Sequence, residues 1–174
     1  MTTVSPRKGH DPNRVNEISA KLMENPEIAE LIGELSTSTD DASDLVKGLL
    51  QASINAGLKA EMDAHLGYGY SGRKPKAQVG PAQGSNHRNG SYAKTVDSGY
   101  GALEVTMPRD RAGTFAPKML PKGTRRLTEL DDMIISLYAG GMTVRDICHH
   151  LATTLGVDMS PDTISTITDA VLEE

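Results

Sequence analysis

The chain has 174 residues, 18 of them Lys or Arg and 23 Asp or Glu, for a formal charge of −5. That balance excludes a uniformly basic protein of the histone kind, and the length allows one domain or two small ones. Aromatic residues make up only 3% and tryptophan is absent, so the core is expected to be aliphatic and divided into several small parts. No stretch approaches the roughly 18 apolar residues that a membrane helix needs. The start, Met1-Thr2-Thr3-Val4-Ser5-Pro6-Arg7-Lys8, lacks the apolar run of a secretory signal. A single cysteine, Cys148, excludes an internal disulfide framework and fits a reducing compartment. A cytoplasmic protein with no membrane partner is expected.

The charge is polarised along the chain. Residues 1–70 carry 6 basic and 11 acidic side chains, and residues 71–126 carry 11 basic and 3 acidic, a local balance of +8. Residues 127–174 hold Arg145 against nine carboxylates. The asymmetry suggests a polyanion-binding middle between acidic flanks, or else a solvated basic linker that pairs with its neighbours.

In chain order, residues 1–20 are polar and read as a disordered tail. A short helix is expected from Lys21 to Leu35, with Asn25 capping and Pro26 in its first turn. Ser36 to Thr39 is a linker, so that residues 1–40 form a first segment of tail and short helix. Leu45, Val46, Leu49, Leu50, Ile54, Leu58, Met62 and Leu66 recur every three or four residues, which predicts one long amphipathic helix over 41–67. Its stripe packs on a neighbouring helix or forms a dimer seam. From Gly67 to Gly90 the composition turns to Gly, Ser, Pro, Gln and Asn with cations interleaved, and an irregular loop is expected. Two strands, Ser91–Val96 and Ala102–Met107, flank a turn at Asp97–Gly101, and the alternation of Leu103, Val105 and Met107 with Glu104 and Thr106 gives the second an apolar face. Pro108-Arg109-Asp110-Arg111 is expected to end that strand, before a second basic loop runs to Arg126. Residues 68–126 thus read as a basic loop and β-ribbon.

The remainder, 127–174, is helical. A first helix face of Leu130, Met133, Ile134, Leu137 and Tyr138 stops at Gly140-Gly141. Thr143 with Asp146 opens a second helix as an Asp variant of the capping box, and Ser160-Pro161-Asp162 opens a third. Helix, glycine turn, helix, short loop, helix is the outline of a helix-turn-helix-like trihelical unit, although any three-helix bundle shares it. The fold class is therefore mainly α with a small β-hairpin.

Catalytic chemistry is not legible. Neighbouring helical residues diverge, so Cys148-His149-His150 cannot bring three ligands to one metal. His65 and His87 could meet across the loop, but no further ligand supports them. Neither a GxxxxGK nor a GxSxG motif is present. Asp131, Asp132, Asp146 and Asp162 sit at helix starts, where capping and the helix dipole account for them. No catalytic residue, metal ligand or cofactor is assigned to this chain.

Asn86-His87-Arg88-Asn89-Gly90-Ser91-Tyr92-Ala93-Lys94-Thr95 resembles the "RNG…KT" signature of mutator-type bacterial insertion-sequence transposases. Pro108-Arg109-Asp110-Arg111-Ala112-Gly113-Thr114-Phe115 is similar to that family's "PRDRxGxF". Leu120-Pro121-Lys122, Leu137 to Ile147 and Ser160 to Asp169 continue the likeness in order, over about Asp44 to Glu174. The resemblance implies recognition of the terminal inverted repeats of a mobile element, with double-stranded DNA as partner. A homo-oligomer is the expected form of the chain. It further implies an RNase H-like domain whose Asp-Asp-Glu triad holds a divalent metal such as Mg²⁺. That domain would begin about where this chain ends, and none of the triad can be placed here. The chain would then be the DNA-binding portion of a transposase, or a truncated module that pairs with the full-length protein and inhibits it.

For DNA contact the cations of the +8 segment are preferred, because phosphate attraction supplies most non-specific affinity. The candidates are Arg73, Lys74, Lys76, Arg88, Lys94, Arg109, Arg111, Lys122, Arg125 and Arg126. The third C-terminal helix has no Lys or Arg, so Ser160 and Thr163 at its N-terminal end are the residues there that could touch DNA.

Overall fold

The computed structural model describes residues 12–69 and 86–172. They form six helices and one antiparallel two-stranded hairpin: α1 (Pro12–Glu24), α2 (Pro26–Leu35), α3 (Thr39–Leu66), β1 (Arg88–Ser98), β2 (Gly101–Asp110), α4 (Thr128–Ala139), α5 (Val144–Leu155) and α6 (Pro161–Leu172). The chain divides into two compact units, up to Leu45 and from Val46 onward, the division falling inside α3.

In the first unit, α1 corrects the expectation of disorder through residue 20. Val15, Ile18 and Leu22 recur at helical spacing there, and Glu17 and Lys21 form an exposed i,i+4 ion pair at 2.6 Å. The break before α2 is local. Pro26 disfavours helical backbone at Asn25, whose freed Oδ1 accepts from the Glu27 amide at 3.0 Å. No residue of α2 is buried.

The second unit holds two cores. In the first, Ile54, Leu58 and Met62 of α3 are buried, and Ile54 and Leu58 pack on Val96, Leu103, Val105, Met107 and Leu120. The partner of the long helix is thus the apolar face of the hairpin, not another helix. Burying a side chain such as Leu58 contributes on the order of 2 kcal/mol. The stripe is not used along its whole length, since Val46 and Leu49 remain 41% exposed. Polar residues of α3 tie down the chain on either side. The Thr106 amide, at the edge of β2, donates to Asn55 Oδ1 at 2.8 Å, and Glu61 accepts from the Lys118 and Met119 amides at 2.8 and 2.9 Å.

Both strands run past their expected ends, to Arg88 and to Asp110. Pairing is continuous from Ser98↔Gly101 to Ser91↔Pro108 and resumes at Arg88↔Asp110. Asn89 and Gly90 therefore face Arg109 alone, a β-bulge that Gly90 allows by adopting φ +73°. Beside it the burial alternation of β2 changes phase: Leu103, Val105 and Met107 are buried, and then Asp110.

At the opposite end, Ser98 Oγ donates to the Gly101 carbonyl at 2.7 Å and accepts from the Tyr100 amide at 3.2 Å. Gly101 has φ +101°, and a Cβ there would lie 2.8 Å from the Leu155 carbonyl at the end of α5. Gly101→Ala is expected to cost about 2 kcal/mol in urea unfolding, left-handed strain alone being about 1–2 kcal/mol and the backbone clash adding to it. Unchanged stability would mean that position 101 is neither held left-handed nor pressed by α5.

The segment after the basic loop runs parallel to the end of β1. The Asp97 amide donates to the Arg125 carbonyl at 2.9 Å, and the Leu127 amide to the Asp97 carbonyl at 2.8 Å. The second core follows, with Leu130 and Ile134 of α4, Ile147 and Leu151 of α5, Val157 and Met159, and Ile164 and Ile167 of α6. The caps stand where the sequence puts them. Thr143 and Asp146 form a reciprocal capping box, in which the Thr143 hydroxyl and amide hold the Asp146 carboxyl below its ordinary range. Ser160 Oγ accepts from the Thr163 amide at 3.3 Å at the start of α6.

Candidate nucleic-acid interface

The candidate cations separate into groups once placed. Arg73, Lys74 and Lys76 lie outside the described residues. Arg88 is drawn inward at the bulge, where it forms an ion pair with Asp63 of α3, hydrogen-bonds the Tyr68 carbonyl at 3.3 Å and lies over the Tyr68 ring at 5.1 Å. Arg126 donates through Nε to Asp131 Oδ1 at 2.7 Å. Burial pushes the neighbouring Asp97 carboxyl up, and the charge of Arg126 pulls it back. Both arginines thus have internal partners that sequence reasoning did not supply. Ser160 and Thr163 are engaged in the α6 cap, their hydroxyls 2.9 Å apart.

Arg109, Arg111, Lys122 and Arg125 are exposed, and Lys94, paired with Val105, is half-buried. Arg109, Arg111 and Lys122 line one groove of about 540 Å³ at the base of the hairpin, together with Tyr92, Met107 and Phe115. The basic loop contributes to this groove because Glu61 fixes its backbone and Phe115, Pro117 and Leu120 are buried.

The residue between the two arginines organises the site. Asp110 is 5% exposed and bonds to neither guanidinium. Its Oδ2 accepts from Asn86 Nδ2 at 2.7 Å, from the Thr114 hydroxyl at 2.8 Å and from the Thr114 amide at 3.1 Å. Oδ1 accepts from the Phe115 amide at 3.2 Å, and His65 Nε2 of α3 lies 3.4 Å from Oδ2. Burial by itself would raise this carboxyl; the donors from Asn86, Thr114 and Phe115 outweigh it and hold the group well below the usual carboxylate range. Asn86 closes the loop from its other end by accepting from the Ala112 amide at 3.1 Å, and the Arg111 amide donates to the His87 carbonyl at 2.8 Å. The PRDR segment is therefore an inward aspartate with two outward arginines, set on a backbone that its own chain locks.

Sequence reasoning missed Tyr92 and the Asn86–Asp110–Thr114 network. Tyr92 pairs with Met107 in the hairpin register, a signal available from the strand alternation. Nothing in the sequence separates an aspartate bonded to its own loop from one that bridges to a flanking arginine. Among the described residues no group of three or more His, Cys, Asp or Glu could hold a metal ion, and no helix is long and apolar enough to cross a membrane.

Comparison with known proteins places the chain among transposases. It belongs to the Mutator family, which residues 23–174 match. A probable transposase for an insertion sequence element of Corynebacterium diphtheriae is 93% identical over 68 residues, 39% of this chain and 20% of that protein. The transposase for insertion sequence element ISRM3 of Rhizobium meliloti (strain 1021) is 48% identical over 130 residues, 75% of this chain and 29% of that protein. That for IS905 of Lactococcus lactis subsp. lactis (strain IL1403) is 38% identical over 133 residues, 76% of this chain and 32% of its own length. The chain spans less than a third of each of these relatives.

Proposed function

We propose that this chain supplies the DNA recognition of a Mutator-family transposase, binding the terminal inverted repeats of its insertion element as double-stranded DNA and working as a homo-oligomer. The observation that carries the reading is the groove of Arg109, Arg111 and Lys122, in which the intervening carboxylate is turned inward and occupied by its own donors. The basic hairpin is the phosphate-contacting ribbon in this reading. Helices α4–α6 are a helix-turn-helix-like unit whose acidic third helix serves protein packing more than DNA contact. In this reading residues 1–174 carry DNA binding, and no step of cleavage or joining is assigned to them.

The test is a mobility-shift titration with duplex carrying the element's own terminal repeats, against a scrambled duplex of the same composition. Preference for the repeats is expected; equal binding of both would remove terminal-repeat recognition. Salt gives a second prediction. Lys94, Arg109, Arg111, Lys122 and Arg125 have no ion pair with a described residue, and contact with about five phosphates gives log K a slope of about −4 to −5 against log[salt]. A flat salt dependence would show that these cations do not meet phosphates.

A further inference from the structure

Tyr92 is 49% exposed on the wall of the cationic groove, in a chain with only 5 tyrosines, 1 phenylalanine and no tryptophan. Among the described residues its hydroxyl has no hydrogen bond and its ring no aromatic partner. Met107, opposite it in the register, is buried, and Phe115 is a buried part of the same groove. The ring is thus carried on the paired part of the hairpin beside an apolar floor.

A phosphate oxygen can accept from a tyrosine hydroxyl but makes no use of the ring face, and in an intact duplex the base faces are stacked on one another. Where a ring and cations line one groove, the matching chemistry is a nucleotide with its base out of the stack: the ring takes the base face, and the cations take the flanking phosphates. The volume of about 540 Å³ lies within the range of about 300–1,000 Å³ that holds compact ligands.

We infer that this groove receives one unpaired nucleotide of the bound DNA, stacked on Tyr92 and held by Arg109, Arg111 and Lys122. This rests on the DNA-binding reading above and adds that the recognised DNA is locally opened. Stacking on an aromatic side chain is sequence-tolerant, so the contact senses an unpaired base without depending on which base it is.

The experiment compares two duplexes of the same sequence, one fully paired and one with a single bulged fluorescent purine, binding the full chain at low salt. The wild-type chain is expected to prefer the bulged duplex by about five- to a hundredfold, the span of one base–aromatic stack, and to quench the purine. Tyr92→Leu is expected to erase both the preference and the quenching, so that it binds the two duplexes alike; Tyr92→Phe, which keeps the ring, retains both. Tyr138→Leu, exposed but outside the groove, serves as the control and changes neither. Thermal melting checks that each variant is folded. A wild-type chain that binds both duplexes equally, or a preference that survives Tyr92→Leu, overturns the inference and leaves DNA recognition standing. A wild-type chain that binds neither duplex overturns both.

Discussion

Asp110→Asn is expected to destabilise the second unit by about 2–4 kcal/mol, read as a lower urea midpoint or melting temperature. The carboxylate accepts four hydrogen bonds, and bonds to charged groups are each worth about 1.5–3 kcal/mol when a partner is removed. An amide cannot replace it, because its NH₂ group would face the donors of Asn86, Thr114 or Phe115. The pH dependence has a definite sign. Asp110 titrates lower when folded than when unfolded. Its contribution is therefore complete above the ordinary aspartate value of about 3.9 and disappears only as pH falls through the lower folded value. The difference between wild type and variant should be constant from neutral pH down to about pH 4 and shrink below it. Shrinkage already between neutral pH and about pH 5 would mean that the carboxyl is held high rather than low.

Replacing Arg109 and Arg111 together by alanine separates affinity from stability in the opposite direction. Removing each guanidinium from the DNA should cost about 1–3 kcal/mol, so the double variant binds about thirtyfold more weakly or worse. Its urea midpoint should stay close to wild type. Both side chains are exposed, and the hydrogen bond from Arg111 to His87 that fixes the strand end uses the backbone amide. The Arg111 guanidinium, 3.3 Å from His87 Nε2, adds only an exposed contact. Unchanged affinity with a lower midpoint would assign the pair to holding the loop instead.

Local chemistry was the readable part of this chain. Asn25 with Pro26, Thr143 with Asp146, and Ser160 with Pro161 act within one helical turn, so their roles are set by residues three or fewer apart. The alternation of Leu103, Val105 and Met107 likewise declares its face without help from elsewhere. What escaped depends on distant partners. Asn55 and Glu61 lie off the apolar stripe of α3, and each holds backbone about fifty residues or more away. Arg88 looked like any other cation of the +8 segment until α3 brought Asp63 beside it. The bulge at Gly90 shifted the alternation, so a strand expected to stop at Met107 runs on to Asp110. At the site, the cations of the groove were legible as charge, and the network that aims them was not.

The pairing of α3 with a hairpin that follows it much later in the chain also bears on synthesis. Ile54 and Leu58 leave the ribosome well before Leu103, Val105 and Leu120, the side chains that cover them. At about 5–20 residues per second the helix waits several seconds with its stripe bare. During that interval polysome-borne nascent chains present the same apolar ridge to one another and to holdase chaperones. Expression at lower temperature lengthens the wait.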